Sequence, residues 1–245
     1  MQFERRLRRG LQSLLSYTWS HSLDNGSDDS QTPVIAPNIT PAQERGPSDF
    51  DIRHVFSGAV TYNFPSLASG GLGAGLAKGW AMDLIVSARS AVPVNVLAST
   101  APLFGVTSAL RPNVVPGIPF YLQDSTAPGG MRLNPAAFIA PPANQQGDLG
   151  RNALRGFGMN QFDFTLRRQF RITERLNLQA RADFFNIFNH PKFGPPNSTL
   201  TDPLFGQATT MFGTSLGPGG FQGGFSPLYQ VGGPRSIQLA LKLLF

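Results

Sequence analysis

Three groups of residues have types and spacings that invite chemistry. Gly70-Gly71-Leu72-Gly73-Ala74-Gly75-Leu76-Ala77-Lys78-Gly79 is glycine-rich enough to cradle a phosphate with backbone N–H groups. It lacks the Gly-Lys-Ser/Thr ending of a phosphate loop, and Trp80 opens a strand pattern where a helix is needed, so the run reads as a turn. Asp24-Asn25-Gly26-Ser27-Asp28-Asp29 gathers hard oxygen ligands of the kind Ca²⁺ takes, but it misses the full calcium-loop pattern and reads as a solvated loop. His21, His54 and His190 show no metal-ligand spacing, and with no Cys in the chain there is no thiolate ligand or nucleophile. No serine has a base and an orienting acid identifiable by spacing. The chain is therefore expected to be no enzyme, with no metal and no cofactor. Asn38-Ile39-Thr40 fits a glycosylation sequon.

Composition points away from an ordinary soluble domain. Only 14% of residues are charged, against roughly 25% in such domains. Gly (27), Pro (21) and Phe (20) are plentiful. The formal charge of +6 raises nucleic acid as a partner, yet Arg5-Arg6-Leu7-Arg8-Arg9 is the one basic cluster, and nucleic-acid binding is not expected. No run approaches the roughly 18 apolar residues of a spanning helix. Met1-Gln2-Phe3-Glu4 leads into charge and not into a signal-peptide core, so the true amino-terminus is expected upstream and the chain is read as a fragment.

What organises the rest is alternation. From Ser236 to the end, Ile237, Leu239, Leu241, Leu243 and Phe245 fall on one side of an extended chain, opposite Ser236, Gln238, Ala240 and Lys242. The same period of two marks five earlier segments. Leu11, Ser13, Leu15, Tyr17 and Trp19 share a face in the first. Phe56, Val60, Tyr62 and Phe64 do so in the second, within about 53–64. Trp80, Met82, Leu84, Val86 and Ala88 oppose Asp83 and Arg89 in the third. Phe162, Phe164, Leu166 and Phe170 oppose Asp163 and Arg167 in the fourth. Leu176, Leu178, Ala180, Ala182 and Phe184 oppose Arg181 and Asp183 in the fifth. Residues 174–189 tolerate a helix, but their apolar positions recur every second place through Phe184, which favours a strand.

Connections alternate between short (65–79 and 171–174) and long (21–52, 97–159 and 188–233), the layout of an outer-membrane barrel with short periplasmic turns and longer extracellular loops. The fold class expected is all-β: an antiparallel up-and-down transmembrane barrel segment of about six strands, not closed alone, its long loops extracellular and its C-terminus periplasmic. Tyr62, Phe64, Trp80, Phe170 and Phe245 then fall at periplasmic strand ends, while Tyr17, Trp19, Phe56, Phe162, Phe164, Phe184 and Phe188 lie towards the outer ends, as two interfacial bands. Asp83, Arg89, Asp163, Arg167, Arg181, Asp183 and Lys242 are expected to face the lumen, with Asp163 opposite or diagonal to Arg181.

Two stretches go beyond pattern: Gly147-Asp148-Leu149-Gly150-Arg151-Asn152-Ala153-Leu154-Arg155-Gly156-Phe157-Gly158, and Arg181-Ala182-Asp183-Phe184-Phe185-Asn186-Ile187-Phe188-Asn189-His190-Pro191-Lys192-Phe193-Gly194. With Ser16-Tyr17-Thr18-Trp19-Ser20 and Arg111-Pro112-Asn113-Val114-Val115-Pro116-Gly117, they resemble the C-terminal barrel of TonB-dependent transporters of the Oar-like type, in which a carboxypeptidase-regulatory-like domain and a plug precede the barrel. The resemblance implies a Gram-negative outer-membrane location and energised solute uptake by the complete protein. It also implies contact with outer-membrane lipid and the barrel-assembly machinery, contact with TonB only through a plug that this chain lacks, and an assembly-signal role for Phe245. Such barrels close with about 22 strands, so residues 1–245 are expected to form the C-terminal part of one, unstable alone in a bilayer. The alternatives are a secreted adhesive or structural β-protein working through its long loops, whose sheet needs a second packed layer, and a soluble enzyme on a β-sandwich, which needs a convergent polar site.

Overall fold

The computed structural model describes residues 1–8, 10–27, 38–65, 78–103, 106–213 and 231–245. Its organising element is one antiparallel sheet of seven long strands. These are β1 (Gln2–Arg8), β2 (Leu11–Trp19), β3 (His54–Asn63), β4 (Trp80–Arg89), β5 (Met159–Arg171), β6 (Asn177–Phe185) and β7 (Ser236–Leu244). Each pairs with its neighbours in the sequence of strands, an up-and-down meander with β1 and β7 at the two open edges. The all-β, unclosed architecture expected from alternation is the one observed.

The six expected strands appear with their phases intact. Phe164 pairs with Leu84 and Phe184, and Ala182 with Leu239, so apolar positions meet apolar positions across the sheet. A slip of one residue anywhere would have moved a strand's apolar set to the other face. Leu176 belongs to the β5–β6 turn, where its carbonyl accepts from Ile172 N at 2.9 Å and Thr173 N at 3.0 Å. Phe164 lies in the middle of β5, not towards its outer end.

A seventh strand, β1, was not expected. It is too charged to show alternation, and Arg5, Arg6 and Arg8 of the basic cluster lie within it. Backbone pairing to β2 holds it: Phe3 opposite Leu15 and Arg5 opposite Ser13, then a bulge before Arg8 meets Leu11. Gly10 closes the turn with φ +81°; a Cβ there would sit 2.3 Å from Asn63 O, the residue whose N–H donates to Gly10 O. Gly79 repeats the device at the start of β4, with φ +78° and Gln169 as partner.

The long connections are the larger correction. No local pattern gave them secondary structure, yet their described residues fold together beyond the sheet into a small cap. Pro93–Val94 pairs with Leu154–Arg155, Asn113–Val114 with Phe138–Ile139, Tyr121–Gln123 with Met131–Leu133, and Leu23–Asp24 with Gly46–Pro47. Val94, Val96, Leu133, Ala137, Phe138, Leu149, Leu154 and Phe205 form its core. Phe138 stacks on Phe120 at 5.6 Å and meets Phe205 edge-on at 5.8 Å. Of the buried apolar residues described, only Ala81 and Met159 belong to the long strands. The hydrophobic core of this chain is in its loops.

Candidate functional site

The strand registers bring the expected polar residues to one face of the sheet. One row runs Gln12, Thr61, Asp83, Thr165, Asp183, Gln238 from β2 to β7. Within it Thr61 Oγ1 donates to Asp83 Oδ1 at 2.6 Å and Thr165 Oγ1 to Asp183 Oδ1 at 2.5 Å. The next row places Arg167 directly opposite Arg181. Two like charges so placed repel, and each is offset by a carboxylate one row away. Arg181 Nε donates to Asp183 Oδ1 at 2.7 Å, while Arg167 Nε lies 3.1 Å from Asp83 Oδ2. The result is two Thr–Asp–Arg units side by side, each holding its arginine over the polar face.

The expected Asp163–Arg181 pair is not formed. The register sets Asp163 against Ile85, and its carboxylate instead accepts from Gln161 Nε2 at 2.8 and 3.0 Å and from Asn186 N at 2.8 Å. The tight β5–β6 turn gave the neighbouring strands correctly but not the register along them. Lys242 pairs in the backbone with Gln179 and has no ion-pair partner among the described residues. Arg89, at the loop end of β4, is covered: its guanidinium lies 4.1 Å above the Phe212 ring. Phe245, at the end of β7, is fully exposed.

Phe212 belongs to a segment that folds back over this end of the polar face. Gly232 N donates to Gln161 Oε1 at 2.7 Å, Asn186 Nδ2 to Gly233 O at 2.7 Å, and Arg235 N to Asn189 Oδ1 at 3.0 Å. Asn186 and Asn189 adopt φ of +49° and +53°, a conformation that asparagine tolerates better than other non-glycine residues. These are the asparagines of the Phe184–Gly194 stretch. Their type was visible in the sequence; their work as fasteners of the returning chain was not.

The cap is pinned by buried charges that pattern could not single out. Arg111 grips Glu44 through both arms, Nη1 to Oε2 at 2.7 Å and Nη2 to Oε1 at 2.8 Å, and Arg111 Nε donates to Leu149 O at 2.8 Å. Both residues are buried. Arg151 binds the Asp24 carboxylate and donates through Nε to Glu44 O at 3.0 Å. Arg155 Nη2 reaches Asp51 Oδ2 at 2.5 Å, where Arg53 Nε also donates at 2.8 Å; Asp51 Oδ1 accepts from Ser22 N at 2.9 Å. Burial alone would raise the Asp51 pKa, but Arg155 first, then Arg53, Ser22 and His21, hold it well below its ordinary value. Burial lowers that of Arg151. Residues 21–24, 44–53, 111–114 and 147–155, distant in sequence, are thus tied together. Two of the four motif stretches, 111–117 and 147–158, meet here, as Val114 N donates to Asp148 Oδ1 at 2.7 Å and Asp148 N to Asn113 Oδ1 at 3.0 Å.

Of the residues first considered for chemistry, His21 lies 3.2 Å from Asp51, and the Tyr17 hydroxyl lies 2.8 Å from His54 Nδ1. Asp28, Asp29 and residues 70–77 lie outside the described residues. Among the described residues no group of three or more His, Asp or Glu side chains is placed to hold a metal ion.

One face of the sheet is apolar and bare. Leu239, Leu241 and Leu243 are more than half exposed, and no second layer covers them among the described residues. A sheet apolar on one side, charged on the other and capped by folded loops at one end defines a transmembrane β-barrel protein. The model of an outer membrane beta barrel domain family matches residues 1–238, and the chain belongs to that family. Its location is the outer membrane. Neither a curated protein nor a solved structure matches the chain.

Proposed function

We propose that the seven strands are the C-terminal part of the barrel of an Oar-like TonB-dependent transporter, whose complete form takes up a solute with energy from the inner membrane. The observation that carries this reading is the return of residues 186–213 and 231–233 over the charged face at the capped end, where Phe212 covers Arg89 and Gly232 is tied to Gln161, an obstruction of the kind a selective transporter needs. The four motif stretches support it, since three of them supply the ties of the cap and of the returning chain. The two open edges call for further strands, because an unpaired strand edge in lipid leaves N–H and C=O groups unsatisfied at several kcal/mol each.

In this reading the apolar face meets lipid and the polar face the lumen, the capped end is extracellular, and the C-terminus is periplasmic. The register sets Arg5 and Arg168 on the apolar side, and each lies within three residues of the short-turn end of its strand. An arginine on the lipid face costs about 2–4 kcal/mol at the bilayer midplane but about 0–1 near an interface, so that end belongs at a membrane surface. Phe245 ends the strand that the assembly machinery recognises. Cross-linking in cells that make the natural gene product tests the transporter assignment: a TonB-type energising protein is expected among its periplasmic partners. A surface-exposed barrel that cross-links to no such protein under solute limitation would reject it.

A further inference from the structure

The polar face holds two arginines whose ion pairs do not use up their hydrogen-bonding capacity. Arg167 on β5 and Arg181 on β6 stand directly opposite each other in the ladder, where like charges repel. Each is gripped on one side only. Arg181 meets Asp183 through Nε at 2.7 Å, and its terminal nitrogens have no partner among the described residues. Arg167 faces Asp83 through Nε at 3.1 Å and Nη2 at 3.4 Å, which leaves Nη1 without a partner among the described residues. The two carboxylates are themselves fixed, by Thr61 at 2.6 Å and Thr165 at 2.5 Å, so both guanidinium forks are held with N–H groups to spare.

The next row towards the short turns sets Gln169 opposite Gln179, and Gln179 opposite Lys242. Arg167, Gln169 and Gln179 line a pocket of about 310 Å³ with Asn63, Gly79 and Ala81, the last two too small to fill it. That volume lies at the small end of the roughly 300–1,000 Å³ that holds a discrete ligand. The side-chain amides of Asn63, Gln169 and Gln179 bond to no described residue. Across these two rows and the aspartate row beside them, Asp83 and Asp183 stand against Arg167, Arg181 and Lys242, which leaves one positive charge.

We propose that this stretch of the lumen wall binds one monosaccharide-sized sugar acid, its carboxylate between Arg167 and Arg181 and its hydroxyls on the amides of Gln169, Gln179 and Asn63. The inference rests on the transporter reading above and names the class of solute carried. A carboxylate matches the planar forks, and bridging the two arginines removes their repulsion. The single surplus charge suits a monoanion, whereas a phosphate dianion would bring excess negative charge against Asp83 and Asp183. Amides both donate and accept, as sugar hydroxyls do.

Isothermal titration calorimetry of the natural gene product in mild detergent tests the site, with glucuronate as probe and glucose as its neutral match. Glucuronate is expected to bind at one site, and glucose at least about tenfold more weakly. Arg181→Gln should weaken glucuronate at least about tenfold, Gln179→Ala about threefold, and Arg175→Gln in the exposed turn not at all. Arg181→Lys should fall between, because an ammonium keeps the charge and loses the fork. If Arg181→Gln loses heat-modifiable migration it has not folded, and Arg181→Lys with Gln179→Ala then decides. Absence of glucuronate binding, equal affinity for glucose, or an affinity that these variants leave unmoved overturns the site. A protein that cross-links to the energising partner yet ignores glucuronate loses this inference alone. One that binds glucuronate through Arg181 but meets no such partner keeps the site and loses the transporter assignment.

Discussion

The sheet and the cap are built from one chain by opposite rules. In the sheet almost nothing apolar is buried, Leu241 is 75% exposed, and stability comes from continuous backbone pairing between seven strands. In the cap the backbone pairing is short, and the contacts are those of a small soluble domain: Val96 and Leu133 sealed in a core, Arg111 and Glu44 paired out of water. The difference shows where each solvent acts. A lipid-facing sheet needs no second layer because acyl chains wet it, so its apolar residues stay outside. The loops meet water and must supply their own interior, which long irregular segments do here with Pro, Asn and buried ion pairs.

The comparison can be broken from either side. The largest effect is expected in the cap: Arg111→Ala leaves Glu44 buried without its partner and should cost about 3–5 kcal/mol. Hydrogen exchange would show residues 38–53 and 110–155 losing protection while β4–β6 keep theirs; simultaneous loss in the sheet would mean one cooperative unit. Next comes the apolar face, where Leu241→Arg in the complete barrel should reduce folding into vesicles by about 2–4 kcal/mol and Lys242→Leu by much less. Equal costs would erase the distinction between faces. Gly79→Ala follows, at about 1–3 kcal/mol, because its Cβ would strike Gln169 O. Gly130→Ala, at a similar positive φ but with nothing within 4 Å, should cost less, and denaturant titration of both separates clash from torsion.

Acid gives the mildest perturbation and its sign is fixed. The Asp51 pKa is depressed on folding, so its contribution is complete above the ordinary value of 3.8 and is lost as pH falls below that towards the folded pKa. Pepsin cleavage within 38–53 should stay slow at about pH 4–5 and quicken towards about pH 2. Asp51→Asn should be cleaved readily throughout that range.

How much of this could be read in advance differed between the two regions. Strand phases were legible because side chains alternate with a period of two, and Ile237 to Phe245 or Trp80 to Ala88 declare it without help from any partner. β1 hid because its arginines mask alternation, and pairing to β2 rather than its own pattern holds it. The cap was opaque since its contacts join Glu44 to Arg111 and Asp24 to Arg151 across long sequence separations that no local period encodes. Register failed for the same reason at Asp163: a turn names the neighbouring strand, but only the ladder fixes which residues meet. Arg168 stands out as a charge at an apolar phase of β5, but only the fold sets the Trp80 and Phe170 rings beside it.

With no native cysteine, single cysteines at 238, 239, 241 and 242 allow spin labels to report the environment of each face of β7. In the membrane-inserted protein, labels at 239 and 241 should be quenched by lipid-soluble oxygen, and those at 238 and 242 by a water-soluble nickel complex. Loss of that alternation, with all four equally open to water or equally sealed from both reagents, would contradict an apolar face wetted by lipid.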